Sequence, residues 1–365
     1  MKNNYLIICL CSILLIGIGG CSKPSPTECY SFASVRNVNE FPLNFQLSEP
    51  KILELDEKGF ISVGIKDSIM LITTKNTSGS LSLYSIPGDT LIRRLFPVGN
   101  GHDEVQGFLF ISNLLWKSNS DSLMMGLRDF KRGNLRWLNF TNILQGAPIS
   151  SIEDSINFNP YSGQIIPLRD GLYYNQWFDI GTQQIRRGIF KTDREVPNSS
   201  VDRLNSSAEA NHFEMNNLAV VSAYSPEHDL IIEAPCHFRR LNLYSPTSGD
   251  GWSIQVGDLV TTIKNLGSQS TKGHLPYAFR GLRVFPDYWC VLYFDPVDLS
   301  KLKSPEDYKP RLLFFDWEGN PLCSLSLECY STEYGLDPKS GNLYVINEIE
   351  DEILQYPVSD ILKKI

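Results

Sequence analysis

Gly99-Asn100-Gly101-His102-Asp103-Glu104 holds the densest mix of reactive groups in this 365-residue chain. Two glycines let a backbone turn tightly and approach a ligand. His102, Asp103 and Glu104 add an imidazole and two carboxylates, groups that bind polar ligands or move protons. These three are the candidate binding residues. The competing role is architectural: a connecting loop in which Glu104 caps backbone N–H groups and pins the element that follows. A second acidic group comprises Glu348, Glu350, Asp351 and Glu352. It could supply a carboxylate pair of the kind glycosidases hold about 5–10 Å apart, or line a solvated turn. Its spacing is not that of a calcium loop.

Other chemistry is sparse. The chain has only 5 His, and His212, His228, His237 and His274 are scattered. No HExxH, GxSxG, GxGxxG or Walker pattern occurs, and no Cys/His spacing suits zinc. No catalytic residue, metal or cofactor is therefore nominated. Tyr173, Tyr174 and Trp177 in GLYYNQWF, with Tyr288 and Trp289, would stack on sugars or fill a protein interface if exposed. Buried, they would fill the core. Arg186-Arg187 and Arg239-Arg240 read as partners of nearby carboxylates rather than a phosphate site. The net charge of −8 argues against nucleic acid as a partner, because phosphate binding needs a basic face.

The N-terminus reads as an address. Lys2 precedes an apolar run from Leu6 to Ile18, short of the roughly 20 residues a spanning helix needs. Ile18-Gly19-Gly20-Cys21 resembles the lipobox of bacterial lipoproteins. The resemblance implies removal of residues 1–20 and lipid attachment at Cys21, with SKPSPTE beginning a tether over 21–30. Ser22 follows the cysteine, where an Asp would resemble an inner-membrane retention signal. The outer membrane is therefore expected, with the facing side open. Of 8 Cys, five remain in the mature body: Cys29, Cys236, Cys290, Cys323 and Cys329. That odd, scattered set is not a disulfide framework.

Residues 31–365 must position these groups, and helical periodicity there is nearly absent. Short apolar runs such as SIMLITT, SLSLYSI, DLIIEAP, WCVLYF and NLYVINE alternate with turn residues, which reads as all-β. Asp337-Pro338-Lys339-Ser340-Gly341 is a turn between two such runs. A strand type recurs with starts near Leu81, Leu135, Ile185, Leu241, Leu312 and Ile353, at roughly fifty-residue intervals suited to propeller blades. The widest gap holds an insertion near 295–310. Six blades fit, the last short of its outer strand. A segment at Ser31–Val38 or Phe41–Leu47 is expected to join that blade and close the ring.

The lipobox, an all-β body of this length and the stretch LFPVGNGHDEVQGF together resemble the TolB-like six-bladed propeller lipoproteins of Bacteroides-type bacteria. That family carries Gly-x-Gly-Pro-x-Glu-Phe after the first blade. Here both glycines and Glu104 match, while His102 replaces the Pro and Val105 the Phe. The resemblance implies a six-bladed β-propeller in the cell envelope and no activity. The expectation is a monomeric outer-membrane lipoprotein, anchored to the membrane by lipid, that binds an envelope protein or glycan. A polysaccharide hydrolase or lyase at the channel mouth and a structural accessory of an envelope complex are the alternatives.

Overall fold

The structure, a computed structural model, describes residues 25–365 apart from 87–88, 102–103, 106–108, 112–113, 120–121, 130–133, 150, 154–161, 183, 193, 210–218, 271–276 and 296–307. Residues 1–24 with Cys21, His102, Asp103, His212, His274 and most of the 295–310 segment lie outside the described residues.

Three strands come first: β1 (Val35–Val38), β2 (Leu43–Gln46) and β3 (Lys51–Ile52). Six sheets follow in a ring, a six-bladed β-propeller. Blade 1 is β4 (Phe60–Lys66), β5 (Ile69–Thr74), β6 (Leu81–Ser85) and β7 (Thr90–Leu95). Blade 2 is β8 (Leu114–Asn119), β9 (Ser122–Asp129), β10 (Asn134–Asn139) and β11 (Ser151–Glu153), with helix α1 (Phe140–Leu144) before its last strand. Blade 3 is β12 (Ser162–Pro167), β13 (Leu172–Asp179), β14 (Gln184–Lys191) and β15 (Arg194–Val196), and α2 (Ser199–Glu209) leads onward. Blade 4 is β16 (Val220–Ser225), β17 (Leu230–Pro235), β18 (Arg240–Tyr244) and β19 (Gly251–Val256), followed by α3 (Ile263–Ser270). Blade 5 is β20 (Phe279–Val284), β21 (Trp289–Tyr293), β22 (Arg311–Phe315) and β23 (Pro321–Ser326). Blade 6 is β24 (Tyr334–Asp337), β25 (Asn342–Asn347) and β26 (Glu352–Pro357), and α4 (Ser359–Leu362) ends the chain.

Each blade is an antiparallel meander stacked between two neighbours. Its middle strands are therefore apolar on both faces rather than alternating. β21 is buried at every position and β5 and β17 at all but the first, whereas the outer strand β7 alternates exposed and covered residues. The core is accordingly a ring of clusters between consecutive blades rather than one nucleus. Trp289 stacks on Phe315 at 4.4 Å in the cluster joining blades 4 and 5, and Tyr174 and Tyr244 meet between blades 3 and 4. Tyr174, Tyr288 and Trp289 are buried, so these aromatics fill the core. Trp177 stays half-exposed, edge-on to Phe190.

The ring is closed by an N-terminal strand, but not by either expected segment. β3 pairs antiparallel with β26 and completes blade 6. β1 and β2 instead add fifth strands, parallel to β19 of blade 4 and β23 of blade 5. The N-terminal segment thus covers two edges that would otherwise be open to pairing.

The acidic cluster helps at the seam. Asp351 lies in the β25–β26 turn and accepts hydrogen bonds from the Gly59 N–H at 2.7 Å and the Phe60 N–H at 3.0 Å, pinning the start of blade 1 to blade 6. Glu348 Oε1 accepts from the Thr332 N–H at 2.6 Å. These two carboxylates thus cap turns. Asp351→Ala should cost about 1–2 kcal/mol, the usual worth of charge-assisted bonds to part-buried amides. A thermal melt checks this, and an unchanged midpoint contradicts it.

α2 and α3 were not expected from periodicity. α2 begins at an Asn cap: Asn198 Oδ1 accepts from the Ser200 and Val201 N–H groups, both at 3.1 Å. Val201 and Leu204, three apart, are its buried face. The five described cysteines are free thiols, four of them buried as small apolar groups.

Candidate functional site

The inner strands all run the same way around the ring. Their C-terminal ends and the turns that follow form one mouth of the central channel; the connections between blades form the opposite face. A cavity of about 720 Å³ opens at that mouth. Residues from the inner strand of every blade line it.

Its charged rim comes from three turns: Lys66 and Asp67 after β4, Arg283 at the end of β20, and Asp337 and Lys339 around the end of β24. Some of these groups are already engaged. Arg283 donates to Glu333 at 3.0 Å, to the Tyr334 carbonyl at 3.2 Å and to the Leu282 carbonyl at 3.0 Å. Burial pushes the Glu333 carboxyl above the usual carboxylate range, against the pull of Arg283. Asp337 accepts from the Lys339 N–H at 3.1 Å, which sets the turn that the sequence placed there. By contrast, the Asp67 carboxylate is 70% exposed, 4.0 Å from the Lys66 ammonium. The ammonium also lies 5.7 Å from the centroid of the Trp116 ring, a cation–π approach. Trp116 is half-buried and lines the cavity wall.

Deeper in, neutral groups bridge adjacent inner strands. The Gln164 amide donates to the Ser222 carbonyl at 2.6 Å and accepts from the Ser222 N–H at 3.0 Å, standing in for a missing ladder rung between blades 3 and 4. At the seam of blades 6 and 1 the strands approach so closely that a Cβ on Gly335 would lie 3.3 Å from Gly64 Cα, and a Cβ on Gly64 would lie 2.5 Å from Ile111 Cγ2. Ile111 comes from the blade 1–2 connection and lines the cavity from the far end.

The site is therefore an aromatic face beside the Lys66 ammonium and an exposed carboxylate, set in a polar and apolar wall. It can hold an amphipathic ligand by stacking and charge. Among the described residues no group of three or more His, Cys, Asp and Glu side chains is placed to hold a metal.

Of the sequence candidates His102, Asp103 and Glu104, the described one, Glu104, falls elsewhere. Glu104 belongs to the connection between blades 1 and 2, on the face opposite the mouth. Its Oε2 accepts from the Gly101 N–H at 2.5 Å, and a Cβ on Gly99 would sit 2.1 Å from that oxygen. Both glycines make room for the carboxylate of their own loop. Val105, in the family's Phe position, is buried in the core of blades 1 and 2. His228 stacks on Trp317 at 4.4 Å, and His237 stacks on Tyr277 at 5.5 Å. Arg187 and Arg186 pair with Glu233 and Asp179, whereas among the described residues neither Arg239 nor Arg240 pairs with a carboxylate. They donate to the Phe294 carbonyl at 2.7 Å and to Gln255 at 2.9 Å. The cavity residues carry no joint signal in the sequence, because the six inner strands are dispersed along the chain.

No family model and no curated protein matches the chain. Among solved structures, a member of the DUF4221 family from Bacteroides vulgatus aligns with TM-score 0.53 and 9% identity, covering 85% of this chain and 96% of that one. A candidate exported protein of Bacteroides fragilis aligns at 0.47 and 8%, covering 86% and 98%. Regucalcin of Agrobacterium tumefaciens, a calcium-binding protein, aligns at 0.46 and 10%, covering 87% and 95%. At such identities only the fold is common ground.

Proposed function

We propose that this chain is a TolB-like propeller lipoprotein of the outer membrane, lipid-anchored at Cys21, that binds an envelope protein or glycan. The observation that carries the binding reading is the 720 Å³ cavity at the channel mouth, where Trp116 and Lys66 stand together and Asp67 is exposed. A pocket of that size with a few polar groups around an aromatic wall suits a sugar unit or a peptide segment. The Gly-x-Gly-x-x-Glu loop acts as a brace, and His102 and Asp103 carry any binding role it has. The membrane reading rests on the charge, apolar length and small residues before Cys21.

The test is a glycan array and a cross-linked pull-down from intact cells, run with the parent protein and with a Trp116→Ala, Lys66→Ala variant. The parent should capture a ligand in at least one format. The variant should lose at least tenfold in affinity, because stacking and the cation act together. Silence in both formats, or capture unchanged by the substitutions, would overturn the reading.

A further inference from the structure

We infer that the propeller face carrying α3 lies against the lipid bilayer, held by a linker of three residues, so that the cavity opens away from the membrane. The inference rests on the lipid-anchor reading of Cys21 and deepens it.

The sequence suggests a tether over 21–30, yet the body already grips residues 28–31. The Glu28 carbonyl accepts from the Ile263 N–H at 2.8 Å, at the first residue of α3. Cys29 and Tyr30 are fully buried. The Tyr30 ring lies against Phe238 at 5.5 Å, its hydroxyl accepts from Arg187, and its carbonyl accepts from Asn242 at 3.1 Å. Arg240 donates to Ser31 Oγ at 2.6 Å. Glu28 closes the turn by accepting from the Ser25 N–H at 2.7 Å. The N-terminal turn is thus part of the fold.

Only Ser22, Lys23 and Pro24 stand between Cys21 and Ser25. A fully extended chain spans at most ~3.6 Å per residue, so Cys21 reaches no more than about 14 Å from Ser25. The six-residue inner strands alone are about 20 Å long. The anchor therefore cannot reach around to the mouth.

The face at which the linker arrives follows from topology. β17 ends and β18 begins there, with Phe238 and Arg240 at that turn. β19 also ends there and leads through Leu259 into α3. Leu259 is 52% exposed, an apolar side chain on the segment between β19 and α3. The cavity mouth lies at the other ends of the same strands. The occupant of the α3 face is thus the membrane that takes the lipid, and ligands approach the cavity from the aqueous side.

The test uses the full-length lipidated protein, with Cys329→Ser to remove the half-exposed native thiol. It is reconstituted into phosphatidylethanolamine–phosphatidylglycerol vesicles containing a lipid with a nitroxide on its headgroup. A fluorophore is placed at Leu259→Cys or at Asp67→Cys. Emission from position 259 should be quenched severalfold more than from position 67. A flexible Gly/Ser insert of about 20 residues after Pro24, reaching roughly 25 Å, should bring the two toward parity. Equal quenching without the insert, or stronger quenching at 67, overturns the orientation. Mass spectrometry of the same sample reads the acyl adduct on Cys21. An unmodified Cys21 overturns the anchor reading, and the orientation with it, whereas a lipidated protein with equal quenching overturns the orientation alone.

Discussion

Glu233→Ala is expected to destabilise the protein by about 3–5 kcal/mol, and to lower the melting midpoint by on the order of 5–10 °C for a chain this long. Glu233 in β17 and Arg187 in β14 form an ion pair at 2.9 Å with both side chains fully buried. Two tyrosines complete it: the Tyr174 and Tyr244 hydroxyls donate to Glu233 Oε1 at 2.8 and 2.7 Å. Arg187 also donates to the Tyr30 hydroxyl, so one cluster ties blade 3, blade 4 and the N-terminal turn together. Removing the carboxylate leaves the guanidinium buried without its counter-charge, and that desolvation penalty makes the loss large. Tyr174→Phe removes one donor and leaves the pair, so it should cost only about 1–2 kcal/mol. Replacing both charges, Glu233→Leu with Arg187→Met, should recover much of the single-mutant loss. Thermal melts at one scan rate measure all three. A Glu233→Ala midpoint within a degree or two of the parent would contradict this account of the blade 3–4 junction.

Raising the pH above 10 should unfold the propeller well before exposed tyrosines alone would predict. Burial, followed by the nearby Glu233 charge, pushes Tyr174 and Tyr244 well above their ordinary value. Burial, then Cys290, does the same for Tyr334. Milder burial takes Tyr224 and Tyr344 to about 12. An unfolded tyrosine ionises near pH 10, while these stay protonated in the folded ring. Their stabilising contribution is therefore complete below about pH 10 and is lost as pH rises through the folded values. Each fully buried tyrosine therefore withdraws stability progressively as the pH climbs past 10. Three such groups act in the same direction on the stability of an ordinary domain, about 5–15 kcal/mol. The expected result is cooperative loss of near-ultraviolet circular dichroism between pH 10 and 12, with tyrosinate absorbance rising in the same step. Tyrosinate absorbance that climbs smoothly while the dichroism persists would contradict it.

The blade rhythm was legible because it is local. All six strand starts proposed from the sequence, Leu81 through Ile353, fall at or within one residue of the third strands β6, β10, β14, β18, β22 and β26. Those strands are flanked by blades on both sides and so are buried along most of their length, as β6 and β22 are. Closure was legible in kind but not in place. Lys51–Ile52 is two exposed residues with no apolar signature, and it pairs with Leu354 and Gln355, some 300 residues away. Val35–Val38 is largely polar and finds its parallel partner in β19, which no local pattern could announce. α2 was missed because only Val201 and Leu204 mark its face, although Pro197-Asn198 offered a start signal. At the functional level, Gly99 and Gly101 read as room for a ligand to approach the backbone, and in the fold the Glu104 carboxylate lies against both. The cavity could not be read ahead of the fold. Lys66, Trp116, Gln164, Arg283 and Lys339 become neighbours only when the ring closes.

Binding at the channel mouth is measured directly by photo-crosslinking in intact cells from a benzophenone amino acid placed at Asp67, on the rim, or at Asn265, on the exposed side of α3. The account predicts a discrete protein or glycan adduct from position 67, lost when Trp116→Ala and Lys66→Ala are added, and none of that adduct from position 265. The same adduct from position 265 alone, or no adduct from position 67, would contradict it.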